Sequence, residues 1–99
     1  MIVDFADDGL RRLYEDPNSH MSGVGPDIVK KYRKVIAVVL AAKDERDLYA
    51  LKSLHFEKLE GQRGGERSLR LNDQYRLVAG LVDSTGGKKI AVRDIADYH

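Results

Sequence analysis

Asp97-Tyr98-His99 sets a carboxylate, a phenol and an imidazole side by side. Groups of these three kinds can orient, polarise and transfer a proton, the parts of general acid–base catalysis, and an imidazole titrates near neutral pH. Upstream, the stretch from 57 to 76 is crowded with arginine, which can hold a phosphate against that imidazole. The pairing points to RNA, because its own 2′-hydroxyl can attack the adjacent phosphate once a protein supplies a base, an acid for the leaving 5′-oxygen and cations for the growing charge. His99 is the candidate acid or base, Asp97 or Tyr98 its partner, and Arg70 with Arg76 the phosphate clamp. Arginine suits the clamp because its planar fork meets two phosphate oxygens at once. Lys58, Arg63 and Arg67 add to a stripe of five cations against Glu60, Glu66 and Asp73, a modest phosphate site. The structural alternative is that Tyr98 packs, His99 frays and both arginines pair with nearby acids.

Other chemistries find less support. His20, His55 and His99 are far apart and keep no metal-ligand spacing, so no metal site is expected. With no cysteine, neither a disulfide framework nor a thiolate site is available, which fits a reducing cytoplasm. Gly61-Gln62-Arg63-Gly64-Gly65 reads as a turn rather than a phosphate cradle, and neither a Walker loop nor a dinucleotide fingerprint is present. No cofactor is therefore expected. The net charge of +1 announces no global field for nucleic acid. The opening Met1-Ile2-Val3-Asp4 lacks a secretory pattern, and the longest apolar run, 35–42, falls short of the roughly 20 residues that span a bilayer, so a soluble cytoplasmic protein is expected.

These groups need a scaffold, and 99 residues suffice for one domain, 1–99. Residues 1–5 predict a short strand, and Asp7 caps a helix carrying Leu10, Leu13 and Tyr14 on one face, ending by Asp16-Pro17. Pro26 opens a second helix, with Ile28, Tyr32, Val35, Val39 and Ala42 as its buried stripe. Its cations Lys30, Lys31, Arg33 and Lys34 read as a solvated face in preference to an RNA contact. Asp44 or Asp47 caps a short continuing helix through Leu48, Leu51 and Leu54. From 56 the period falls to two: a strand over 68–72 with a polar face centred on Arg70, a turn at 72–74, a central strand over 75–82 and an antiparallel return over 89–95. The expected class is α+β, a small antiparallel or mixed sheet with the N-terminal helices on one face.

The segments Phe56-Glu57-Lys58-Leu59-Glu60-Gly61-Gln62-Arg63 and Ser68-Leu69-Arg70-Leu71-Asn72-Asp73-Gln74-Tyr75-Arg76, closed by Asp97-Tyr98-His99, resemble the HigB branch of the RelE/ParE toxin superfamily. The resemblance implies a RelE-like fold and a toxin that enters the ribosomal A site and cuts messenger RNA during translation without a metal. It implies a helix-turn-helix, HigA-like antitoxin as partner, with operator DNA reached only through the complex and no membrane involved. By the same resemblance Asp97, Tyr98 and His99 match the terminal catalytic triplet, Arg76 the arginine after the hairpin aromatic, and Arg70 the basic residue on the preceding strand. Two positions depart from the pattern, Glu60 in place of a lysine and Arg67 in place of an aromatic; His55 stands two positions upstream of a catalytic histidine that some relatives carry and reads as a loop or helix-end residue in preference to a catalytic one. The alternatives are a gyrase-directed toxin of the same superfamily, which needs no acid–base group, and an attenuated toxin that only binds antitoxin.

Overall fold

The computed structural model describes residues 1–59 and 66–97. Strand β1 (Ile2–Phe5) leads into helix α1 (Asp8–Glu15), followed by α2 (Pro26–Ala41), α3 (Glu45–Ala50) and a 3-10 turn (Lys52–Leu54). Strands β2 (Glu57–Lys58), β3 (Glu66–Arg70), β4 (Tyr75–Ser84) and β5 (Gly87–Asp97) complete one sheet in the order β1-β5-β4-β3-β2. The last four strands form the expected antiparallel meander, whereas β1 lies parallel to β5, so of the two forms left open, antiparallel or mixed, the sheet is mixed.

Each helix begins where its cap chemistry directs. The Asp7 carboxylate accepts from the Leu10 amide at 2.8 Å, satisfying a donor that the first turn of α1 leaves open. Pro26 stands at the first position of α2, where its missing N–H is no loss. All five residues of the predicted α2 stripe are buried. Tyr32, fully buried, donates its hydroxyl to the Leu10 carbonyl at 2.7 Å, tying α2 to α1; burial, with the charge of Asp7 second, pushes its phenol pKa upward.

The helices cover one face of the sheet. Leu69 and Leu71 of β3 and its turn, Leu77 and Ala79 of β4, and Ile90, Val92 and Ile95 of β5 meet Leu10, Leu13, Ile36 and Leu48 in a continuous core. Leu77, Val78, Ala79 and Gly80 are all buried, which confirms β4 as the central strand.

Three local expectations are corrected. The helix read through Leu51 stops at Ala50, because the backbone turns extended at Leu51 and restarts as the 3-10 turn; Leu48 and Leu54 stay buried while Leu51 is 44% exposed. Strand β3 runs over 66–70 rather than 68–72, because the Asn72 carboxamide accepts from the Gln74 and Tyr75 amides at 2.8 and 2.7 Å and claims that stretch for the turn. Glu57 and Lys58 form an edge strand that the periodicity does not mark, since two residues are too few to show a period. Among the described residues, no helix is long and apolar enough to cross a membrane.

Candidate active site

The Asn72 turn sets the geometry of the site. By closing the β3–β4 hairpin it places Arg70 directly opposite Arg76, so the two guanidinium stems leave the same face of the sheet, away from the helices. Ser68 and Val78, register partners one step further along that face, are both buried and make a closed floor beside them. The polar face predicted for β3 therefore includes one side chain, Ser68, that is not solvated.

Two like charges directly across a ladder repel, and the two arginines meet that cost differently. Arg70 forms an ion pair with Asp73 in the turn and remains 38% exposed. The Nη1 of Arg76 is buried and has no hydrogen-bond partner among the described residues. A buried guanidinium donor left unpaired costs on the order of 1–3 kcal/mol, a cost that an incoming anion removes.

Asp97 closes β5 opposite Tyr75, and its carboxylate accepts from the Gln74 side-chain amide at 3.0 Å. Ala96 is the register partner of Arg76, so alternation turns Asp97 toward the opposite face, the helix side of the sheet, and the structure does not bring it together with the arginine pair. Tyr98 and His99, together with Glu60 and Arg63, lie outside the described residues. Arg67 and Lys58 are register partners on the helix side of the sheet, separate from Arg70 and Arg76. Arg67 Nε donates to the Tyr49 hydroxyl at 3.1 Å, which fastens α3 to the edge of the sheet. His55 takes a left-handed backbone (φ 46°), and its half-exposed ring lies 3.8 Å from the Glu57 carboxylate. No group of three metal-ligating side chains occurs among the described residues.

Two arginines acquire roles the sequence reading misses. Val78 pairs with Asp94 but Ala79 pairs with Val92, so Arg93 is the extra residue of a β-bulge. Its guanidinium lies across Gly80, where a Cβ would fall 2.7 Å from Nη2, and its Nε reaches the Glu66 carboxylate at 3.4 Å. The available signal was the lone glycine in an apolar central strand, which often marks a bulge or a close approach. Arg33, read as a solvated cation, instead donates to the Leu13, Asp16 and Ser19 carbonyls at 2.8, 3.0 and 3.2 Å, capping the end of α1 and its following loop.

Comparison with known proteins agrees with this architecture. A solved YoeB/ParE toxin from Agrobacterium tumefaciens shares the fold, with a TM-score of 0.54 over 100% of both chains at 18% identity. Toxin HigB-1 of Vibrio cholerae serotype O1 is 35% identical, the match covering 100% of this chain and 98% of that protein. Residues 3–99 match the family described as the RelE-like toxin of type II toxin-antitoxin system HigB. The family-model match over residues 3–99 and the 35% identity to a toxin over the whole chain place the chain in the HigB-like family of type II toxins, for which an antitoxin is the partner.

Proposed function

We propose that this toxin is a ribosome-dependent endoribonuclease that cuts translated messenger RNA at the face carrying Arg70 and Arg76. The observation that carries the reading is the buried, unpartnered Nη1 of Arg76 directly opposite Arg70, an arrangement that receives a phosphate better than it serves the fold. In the reaction the 2′-oxygen of one nucleotide forms a bond to the adjacent phosphorus while the bond from phosphorus to the 5′-oxygen breaks. The 2′-hydroxyl gives its proton to a base, and the leaving 5′-oxygen takes one from an acid. The products are a 2′,3′-cyclic phosphate and a free 5′-hydroxyl, so no water is consumed in this step.

The two arginines bind the phosphate and offset the charge that builds on its oxygens. His99 is assigned as acid or base, with Tyr98 and Asp97 assigned to orienting it; Asp97, which accepts from the Gln74 amide and lies on the face opposite the arginines, is not assigned a direct contact with the phosphate. Lys58 and Arg67, on the other face, are assigned to contacts outside the cleavage site. The partner that restrains the toxin is proposed to be a HigA-like helix-turn-helix antitoxin, and the place of action the cytoplasm. Single-turnover cleavage on programmed ribosomes tests the reading: wild-type protein is expected to cut message in the A site and His99→Ala to abolish cutting. Full activity of His99→Ala, or no cutting by wild type, overturns it.

A further inference from the structure

The bulge in β5 re-aims two charged side chains. Strict alternation would send Arg93 and Asp94 to opposite faces, yet both are exposed between the buried Val92 and Ile95. The face they share is the one that carries Arg76. Gly80, over which the Arg93 guanidinium lies, stands four residues beyond Arg76 on β4 and so looks the same way, and Asp94 is the register partner of Val78 on that side. Glu66, the register partner of Gly80 on β3, completes the row.

The fold gains little from this arrangement. A glycine inside a strand weakens it, and a half-exposed ion pair returns little of that loss. The hold on the guanidinium is also loose. Arg93 is 48% exposed, and its Nε stands 3.4 Å from the Glu66 carboxylate, beyond the range of a charge-assisted hydrogen bond. Its Nη atoms donate to no described residue, so the edge of the fork that binds phosphate oxygens in pairs is uncommitted.

We propose that Arg93 is a third phosphate-binding residue on the site face, taking the phosphate of a nucleotide that flanks the cleaved bond, with Glu66 holding the guanidinium until RNA arrives. The proposal rests on the nuclease reading for the presence of RNA on this face. Four residues of strand set Arg76 and Gly80 roughly 13 Å apart, at about 3.3 Å each. One nucleotide of backbone falls short of that span and two cover it. Asp94 stands between the two cations, with one carboxylate oxygen accepting from the Ile95 amide at 2.8 Å. Its charge repels the intervening phosphate, so that phosphate turns outward and leaves sugar or base against Val78 and Asp94.

The probes are oligoribonucleotides methylated on the 2′-oxygen of the cleaved nucleotide, which blocks attack. A short one covers the Arg70–Arg76 pair, and two longer ones extend it by a few nucleotides at the 5′ or the 3′ end. Binding to the full chain is read by fluorescence anisotropy. One of the extensions is expected to tighten binding about tenfold, the worth of a charge-assisted contact, and to steepen the salt slope by about 0.7. Arg93→Ala should remove both gains while keeping the wild-type affinity for the short oligomer, which excludes loss of fold. Arg93→Lys should restore the slope more fully than the affinity, since an ammonium keeps the charge without the fork. Glu66→Gln should tighten the extended oligomer alone, by about two- to fivefold, the range of an exposed ion pair. No gain from either extension, a gain that survives Arg93→Ala, an equal loss on the short oligomer, or a gain that Arg67→Ala removes instead would each overturn the proposal. If the oligomer series behaves as stated while wild type cuts no translated message, the nuclease reading alone fails.

Discussion

Arg70 and Arg76 were legible as a pair because they stand on two alternating runs with the turn signal Asn72-Asp73-Gln74 between them, and a hairpin closed there brings them opposite. Their inequality was not legible. Which of two arginines keeps a partner depends on the Asp73 side chain and on the burial of the Arg76 Nη1, neither of which has a sequence signature. The difference makes a prediction: Arg76→Ala should lower single-turnover cleavage by about 10²–10³, and Arg70→Ala by less, because Arg70 must first leave Asp73. Neither should destabilise the fold, since removing the unsatisfied Arg76 relieves a buried cost. Thermal unfolding beside the cleavage assay decides it; near wild-type rates for both variants would remove the clamp. Arg93 gives a second test at this scale. In Gly80→Ala the new methyl meets the end of a flexible side chain, so Arg93 should swing off Glu66 at a cost under about 1 kcal/mol, the range of an exposed ion pair. A double-mutant cycle with Arg93→Ala should show coupling; strict additivity would mean that guanidinium and glycine do not meet.

At the scale of elements, helix starts were readable and helix ends less so. Asp7, Pro26 and Asp44 each announce a start through local chemistry that needs no tertiary partner. The end of α1 is secured instead by Arg33, 20 residues beyond Leu13, and a cap that arrives from another helix looks in sequence like one more solvated cation. Arg33→Ala is accordingly expected to cost about 2 kcal/mol, through lost charge-assisted hydrogen bonds, and to lower Tm by roughly 10 °C. Arg33→Lys should recover under half of that, because an ammonium cannot reach three carbonyls as a fork does; an unchanged Tm in the alanine variant would show that the cap is dispensable. Helix α3 has a pH dependence of its own. The Arg46 side chain, hydrogen-bonded to Asp44, holds that carboxyl down at about 2 against an ordinary 3.8. A lowered carboxylate pKa favours the folded form when ionised, so this contribution is present above about pH 4 and is lost as pH falls toward 2. Amide exchange in 45–50 should rise through that window, and Asp44→Asn should flatten the rise.

The whole molecule carries a net charge of only +1 with a pI near 8.0, so in the proposed nuclease role any hold on RNA must come from a few placed cations rather than from a general field. The architecture follows from closing the meander with a first strand that pairs in parallel with the last, which was foreseeable as a mixed sheet but not as a register, because β1 and β5 lie at opposite ends of the sequence. That closure confines the helices to one face and leaves Arg70 and Arg76 on the other, while Lys58 and Arg67 fall on the helix side. The division sets a limit on salt dependence. For single strands each neutralised phosphate contributes about −0.7 to the slope of log affinity against log salt, so two arginines predict a slope of roughly −1.4 for a short, non-cleavable oligoribonucleotide. Arg76→Ala should bring it to about −0.7, whereas reversing Lys31 and Lys34 should leave it unchanged because they belong to α2, which covers the other face of the sheet. A slope steeper than about −3, or one flattened by the lysine reversals and not by Arg76→Ala, would put the RNA on the helix face and transfer the candidate site there.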